Sequence, residues 1–150
     1  MAAYHRTVTE YPAPLLEVTD RYFKQRPWRA DWVDKAQGWV TDAAEVYGLP
    51  GLTLRHTSPA EAAGSGCYLP ILGEIRMPKP SVVTLFHEFR HAIQHHRPSD
   101  VHYWLDPTAQ PAEDDARAWS LSLFHQVRPQ LLASAVEAGS VFYIIPEDLE

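Results

Sequence analysis

Residues 87–91 have the sequence HEFRH, and this short segment limits what the chain can fold into more than any other. Positions four apart lie on one face of an α-helix, so the imidazoles of His87 and His91 can bind one metal ion if the segment is helical. Glu88 lies about 100° around such a helix from His87, outside the ligand set but close to a metal-bound water. The motif therefore predicts a helix, one zinc ion per chain, and Glu88 as the catalytic base.

An apolar stripe supports a helix around this motif. Its members recur at three- or four-residue spacing and are Val82, Leu85, Phe86, Phe89, Ala92 and Ile93. Ser81 is a favourable N-cap after Pro78 and Pro80, and Pro98 cannot continue the helix. The pattern predicts a helix from Ser81 to about His96 with one face in the core.

A catalytic zinc site needs a third protein ligand and leaves its fourth position to water. In the next predicted helix, Glu113 lies one turn before Ala116, so we expect it to point inward with the core stripe and to complete the site. Asp114 and Asp115 are rotated by about 100° and 200° from Glu113 and are interpreted as charges favoured near a helix N-terminus. Asp115 is the second choice of ligand.

Periodicity places four main helices along the chain. They are residues 14–25, residues 31–48 with Asp31 as N-cap and Gly48 as the end, the motif helix, and a helix from Pro111 or Ala112 to about Pro129. Residues 52–57 alternate as a strand does, and residues 67–77 predict an edge hairpin, whose second strand, residues 73–77, is expected to pair with substrate. The order predicts an α+β fold, with a small, mostly antiparallel sheet, in one domain over residues 1–150.

The charge balance disfavours nucleic acid and anionic membranes as partners, because the formal net charge is -6 and no basic cluster is present. No apolar run approaches the ~20 residues of a membrane-spanning helix, and the first residues lack the pattern of a secretion signal. The one cysteine, Cys67, cannot form an internal disulfide. We therefore expect a cytoplasmic protein.

The motif and the segment after it resemble the glutamate-zincin peptidases, in which HExxH on one helix is completed by a Glu within an ExxA-like motif on a later helix. Here residues 113–116 have the sequence EDDA. Residues 84–92 also look similar to small bacterial and phage peptidases of the ImmA/IrrE-like kind, and the likeness covers roughly residues 68–123.

The resemblance implies a zincin-like fold, zinc held by His87, His91 and Glu113, and hydrolysis of peptide bonds. Arg117 stands where many such families have Asp. The second hydrogen-bond partner of His91 is therefore expected to be Asp106 or a backbone carbonyl.

Further residues are candidates for contacts with the substrate or with the oxyanion of the reaction. They are Tyr68 and Arg76 from the hairpin, and His102 and Tyr103 from the loop at residues 97–111. His95 and His96 are interpreted either as a border of the cleft or as cations favoured at a helix C-terminus.

Two other ligand sets are weaker hypotheses. The metzincin pattern fails because Gln94 and Arg97 stand where it requires Gly and His. A site in which Cys67 joins the two histidines is similar to peptide deformylase, but Arg90 replaces the Asp that precedes the second His there. A lone cysteine is more often a small core residue.

These observations predict a zinc metallopeptidase with a peptide or protein substrate. The alternative is a zinc-stabilised, non-catalytic interaction or regulatory domain with a zincin-like fold. The apolar run at residues 141–145, from Val141 to Ile145, is compatible with a buried strand, a tail packed on the core or a surface for a protein partner, and periodicity does not distinguish them. A DNA-associated protease of the SprT-like type is disfavoured by the acidic balance. Glu88 favours the peptidase, because it has no structural purpose unless a water is activated.

Overall fold

The computed structural model describes residues 10–98 and 110–139, and within them the chain forms five helices and one three-stranded sheet. In chain order these are α1 (Ala13–Lys24), α2 (Trp32–Tyr47), β1 (Thr53–His56), β2 (Cys67–Leu69), β3 (Glu74–Met77), α3 (Val82–His96), α4 (Gln110–Val127) and α5 (Pro129–Glu137). The predicted α+β class is confirmed. The predicted number of four main helices is wrong, because Pro129 begins α5, where its missing N–H removes no helical hydrogen bond.

The sheet is mixed, with the strand order β1-β3-β2. Strand β2 pairs antiparallel to β3, as the hairpin prediction requires, while β1 pairs parallel to β3, with Leu54 opposite Ile75. The expectation of a mostly antiparallel sheet is therefore wrong. So is the expectation that residues 73–77 form an edge, because β3 lies between the other two strands and buries Ile75 and Met77. Among the described strands, β2 is an edge.

Helix α3 lies against the aromatic centre of the core. Phe86 and Phe89 are fully buried, and their rings lie 4.8 and 5.0 Å from the ring of Trp39 on α2. Phe23 on α1 packs edge-on against Phe86 at 6.1 Å. The Trp39 indole N–H donates to Thr19 Oγ1 over 3.0 Å, so this buried ring also has its polar partner. The apolar face of α3 is thus fixed, and its histidines face α4 and β2.

Local capping agrees with the sequence at two of the three helix ends for which a cap was predicted. The Ser81 side chain accepts a hydrogen bond from the Thr84 N–H, which caps α3, and Gly48 ends α2 at φ 66°. Asp31 stands before α2 as expected, but its side chain makes no capping hydrogen bond. Within residues 10–98 and 110–139, no helix is long and apolar enough to cross a membrane.

Candidate metal centre

One turn of α3 places His87 and His91 side by side, with ring centroids 4.9 Å apart. Their Nε2 atoms each lie 3.0 Å from a different carboxylate oxygen of Glu113 on α4. Potential ligand atoms from these three residues all lie within 4.8 Å of one another, and they are the one such group among the described residues. The structure thus brings together the three residues that the sequence predicted as ligands.

The donor set and its spacing fit a zinc ion. Two imidazole nitrogens and one carboxylate form a common ligand set for catalytic zinc, with one coordination position open. In a tetrahedral site with bonds of about 2.0 Å, ligand atoms lie about 3.3 Å apart. The contacts to Glu113 are 3.0 Å and the ligand atoms of the group all lie within 4.8 Å of one another, so side-chain movements would suffice to place them around one ion. The histidine side chains are only 15% and 16% exposed, which limits competition from water.

The orientation of the first turn of α4 differs from the prediction. Glu113 does not point into the core: its side chain is 54% exposed and borders an open cleft. Asp115 is the inward residue, at 1% exposure, so its interpretation as a charge placed only to favour the helix N-terminus is wrong. The reason is Arg90, whose buried guanidinium donates to both carboxylate oxygens of Asp115, over 2.7 and 3.3 Å.

Gln94 is the partner of His91 that the sequence did not reveal. The Gln94 side-chain nitrogen donates to the Ala112 carbonyl and to Asp115, each over 2.9 Å. Its oxygen must therefore face His91 Nδ1, 2.7 Å away, and accept the ring proton. Asp106, the partner suggested from the sequence, lies outside the described residues. The available signal was the position of Gln94, three residues after His91 on the same helix face.

Both ring nitrogens of His91 face oxygen acceptors, Nδ1 that of Gln94 and Nε2 that of Glu113. An imidazole in this setting carries either a second proton or, at Nε2, a metal ion. Burial opposes the charged form, but the hydrogen bonds to Glu113 and Gln94 outweigh it and raise the pKa of His91. Hydrogen bonds from His87 and His91 hold the pKa of the Glu113 carboxyl well below its usual range. The site therefore favours a cation between these side chains.

Glu88 lies beside the ligand group without joining it. It lines the same cleft, and burial raises the pKa of its carboxyl, while the charges of His87 and His91 oppose that rise. A carboxylate with a raised pKa beside this group is a stronger base than an ordinary glutamate and is suited to accept a proton. This placement agrees with the position around the helix expected from the motif.

The cleft has a volume of about 1030 Å³ and lies between α3, α4 and the segment that leads into β2. Tyr68 lines it, and the Tyr68 hydroxyl lies 3.3 Å from His96 Nε2. Arg76 is not among the described residues that line it, because its guanidinium is held by Glu74 and by the Glu61 carbonyl. His102 and Tyr103 lie outside the described residues, as does the apolar run at 141–145.

Two further residues from the sequence hypotheses line the cleft. His95 is exposed and borders it, as one of the two interpretations expected. Cys67 also lines the cleft, but its sulfur is not part of the ligand group found in the described residues, which disfavours the deformylase-like set. No protein-family model, curated protein or solved structure matches this chain.

Proposed function

We propose that this protein is a zinc-dependent metallopeptidase that hydrolyses peptide bonds in extended peptide or protein substrates. The observation that carries the proposal is the convergence of His87, His91 and Glu113 around one point in an open cleft. Glu88 stands next to this group. A zinc site that only stabilised the fold would need no further carboxylate beside its ligands.

The chemistry is divided between the ion and the chain. Zinc bound at this site would polarise the scissile carbonyl and lower the pKa of a bound water. Glu88 accepts the water proton on its carboxylate and delivers it to the leaving amine nitrogen. Burial raises the pKa of the Glu88 carboxyl, which makes its carboxylate a stronger base for the first of these steps.

Strand β2 is the place where we expect an extended substrate to bind. As an edge among the described strands it can pair with the substrate backbone through main-chain hydrogen bonds. Cys67 and Tyr68 on this strand line the cleft that contains the metal ligands. The substrate backbone is therefore expected to pair with β2 rather than with residues 73–77. Tyr68, which lines the cleft, is the proposed oxyanion contact.

The test compares two glutamates. Glu88→Gln should retain about one zinc per chain while its rate on an unstructured protein falls by at least ~10²-fold, because only the base is lost. Glu113→Ala should lose zinc on gel filtration, because two histidines remain as ligands. Asp114→Ala is the matched control: it removes the adjacent carboxylate and should keep both zinc and activity.

Three results would contradict the proposal in different ways. If the unsubstituted protein binds no zinc at neutral pH, the site itself is wrong. If Glu88→Gln loses zinc while Glu113→Ala keeps it, the roles of the two glutamates are reversed. If the protein binds zinc and melts at a higher temperature with it, yet cleaves no peptide, the zinc-stabilised non-catalytic domain is the better conclusion.

A further inference from the structure

We propose that Gln94, Asp115 and Arg90 form a positioning chain that fixes the orientation of His91 and holds the first turn of α4 in register with α3. The inference rests on the proposed zinc site and extends it to side chains that do not touch the metal. The juxtaposition that carries it is a continuous series of hydrogen bonds from His91 through Gln94 to the buried pair of Asp115 and Arg90.

The first step concerns the imidazole. The donors and acceptors around Gln94 permit one orientation of its amide, because the amide nitrogen faces two oxygens that can only accept. The amide oxygen then accepts from His91 Nδ1, so the proton of the neutral ring resides there. The Nε2 lone pair consequently points toward Glu113. Hydrogen bonds of this kind orient ligand histidines and increase their basicity.

The second step concerns the two helices that supply the ligands. Gln94 on α3 binds the carbonyl of Ala112, one residue before the ligand Glu113 on α4. Arg90 on α3 binds Asp115, two residues after Glu113. The residues on both sides of Glu113 are therefore tied to the helix that carries the histidines, which limits where its carboxylate can move.

The ion pair that anchors the chain is buried. The side chains of Arg90 and Asp115 are 5% and 2% exposed, and the guanidinium lies 5.7 Å from the centre of the Trp119 ring. Removing one partner of such a pair leaves an uncompensated buried charge, whereas replacing both by apolar side chains is often tolerated. The pair is thus costly to break, and it holds in place the carboxylate to which Gln94 donates.

The main test is Gln94→Met, which keeps the side-chain length and removes the acceptor. Zinc affinity, measured by competition with a chromophoric chelator, should fall by about 10- to 100-fold. Gln37→Met is the matched control, because Gln37 also bridges two elements, accepting from the Leu54 N–H over 2.7 Å and donating to the Leu52 carbonyl over 3.0 Å. Gln37 is not among the residues that line the cleft, so its loss should lower the melting temperature without changing zinc affinity.

A second variant keeps the test valid if Gln94→Met does not fold. The double substitution Arg90→Met with Asp115→Leu replaces the buried pair by apolar side chains and removes one acceptor from Gln94. The metal-free protein should fold, and zinc affinity should fall by about 10-fold or more. Zinc affinity within twofold of the unsubstituted protein in either variant overturns the inference and leaves the proposed function intact. Absence of zinc binding in the unsubstituted protein overturns both.

Discussion

The two faces of α3 are built on different principles. Toward α1 and α2 the helix presents Phe86 and Phe89, which pack among other rings and contribute through buried apolar area. Toward α4 it presents Arg90, His91 and Gln94, whose side chains are hydrogen-bonded to specific partners. An apolar face stabilises the fold with loose requirements for geometry, while the polar face sets geometry at little net gain in stability. The two functions should therefore be separable by mutation.

The largest expected effect comes from the apolar face. Phe86→Ala removes a fully buried ring that packs against Trp39 and Phe23, and the cavity should reduce the free energy of unfolding by about 3–5 kcal/mol. The measurement is denaturant unfolding of the metal-free protein. Zinc affinity of the folded fraction should be unchanged. A large fall in zinc affinity with little loss of stability would contradict the separation of the two faces.

The sequence predicted the elements that depend on local spacing. The helix over residues 81–96 and the neighbouring placement of His87 and His91 follow from intervals of three or four residues, and both are confirmed. The Ser81 cap and the end of α2 at Gly48 follow from residue type, and both are confirmed: Ser81 accepts from the Thr84 N–H, and the φ of 66° at Gly48 favours glycine.

The sequence did not predict the features that depend on distant partners. Gln94 and Asp115 are 21 residues apart, and neither side chain indicates by itself that the other satisfies it. The parallel pairing of β1 with β3 requires a crossover, so alternation within each strand cannot show it. Asp115 was misinterpreted because acidic residues are common in the first turn of a helix, and only the buried Arg90 explains why this one points inward.

A smaller effect, on the polar face, is a dependence of stability on pH in the metal-free protein. The folded protein raises the pKa of His91, so its contribution is complete below about pH 6.5 and is lost as the pH rises through the folded value. Glu88 adds a loss of the same sign that begins at lower pH, above about 4.5, because burial raises the pKa of its carboxyl from there. The lowered pKa of Glu113 keeps its contribution present throughout this range. The melting temperature after chelation should therefore fall as the pH rises above about 6.5.

Zinc should reverse this trend, since metal binding requires deprotonated ligands and strengthens as the pH rises. The difference in melting temperature between zinc-loaded and chelated protein should thus widen over the same interval. Glu113→Gln is the control, because it removes the charge that favours protonation of His91 and should flatten the pH dependence of the metal-free protein. An equally steep dependence in this variant would show that His91 and Glu113 are not its source.

The smallest expected effect is a gain in stability from a substitution in α2, one of the helices that pack on the apolar face of α3. Gly38 lies at an exposed position inside α2, and a Cβ added there would meet nothing within 4 Å. Gly38→Ala should increase the free energy of unfolding by about 0.5–1 kcal/mol, because alanine loses less backbone entropy in a helix. Gly48→Ala, at the end of the same helix, should instead reduce the free energy of unfolding by about 1–2 kcal/mol, since φ is 66° there.

If the two faces of α3 are energetically independent, both variants keep the zinc affinity of the unsubstituted protein, as additivity between distant sites requires. A zinc affinity that rises with Gly38→Ala and falls with Gly48→Ala would mean that global stability, rather than the polar face, sets the geometry of the site.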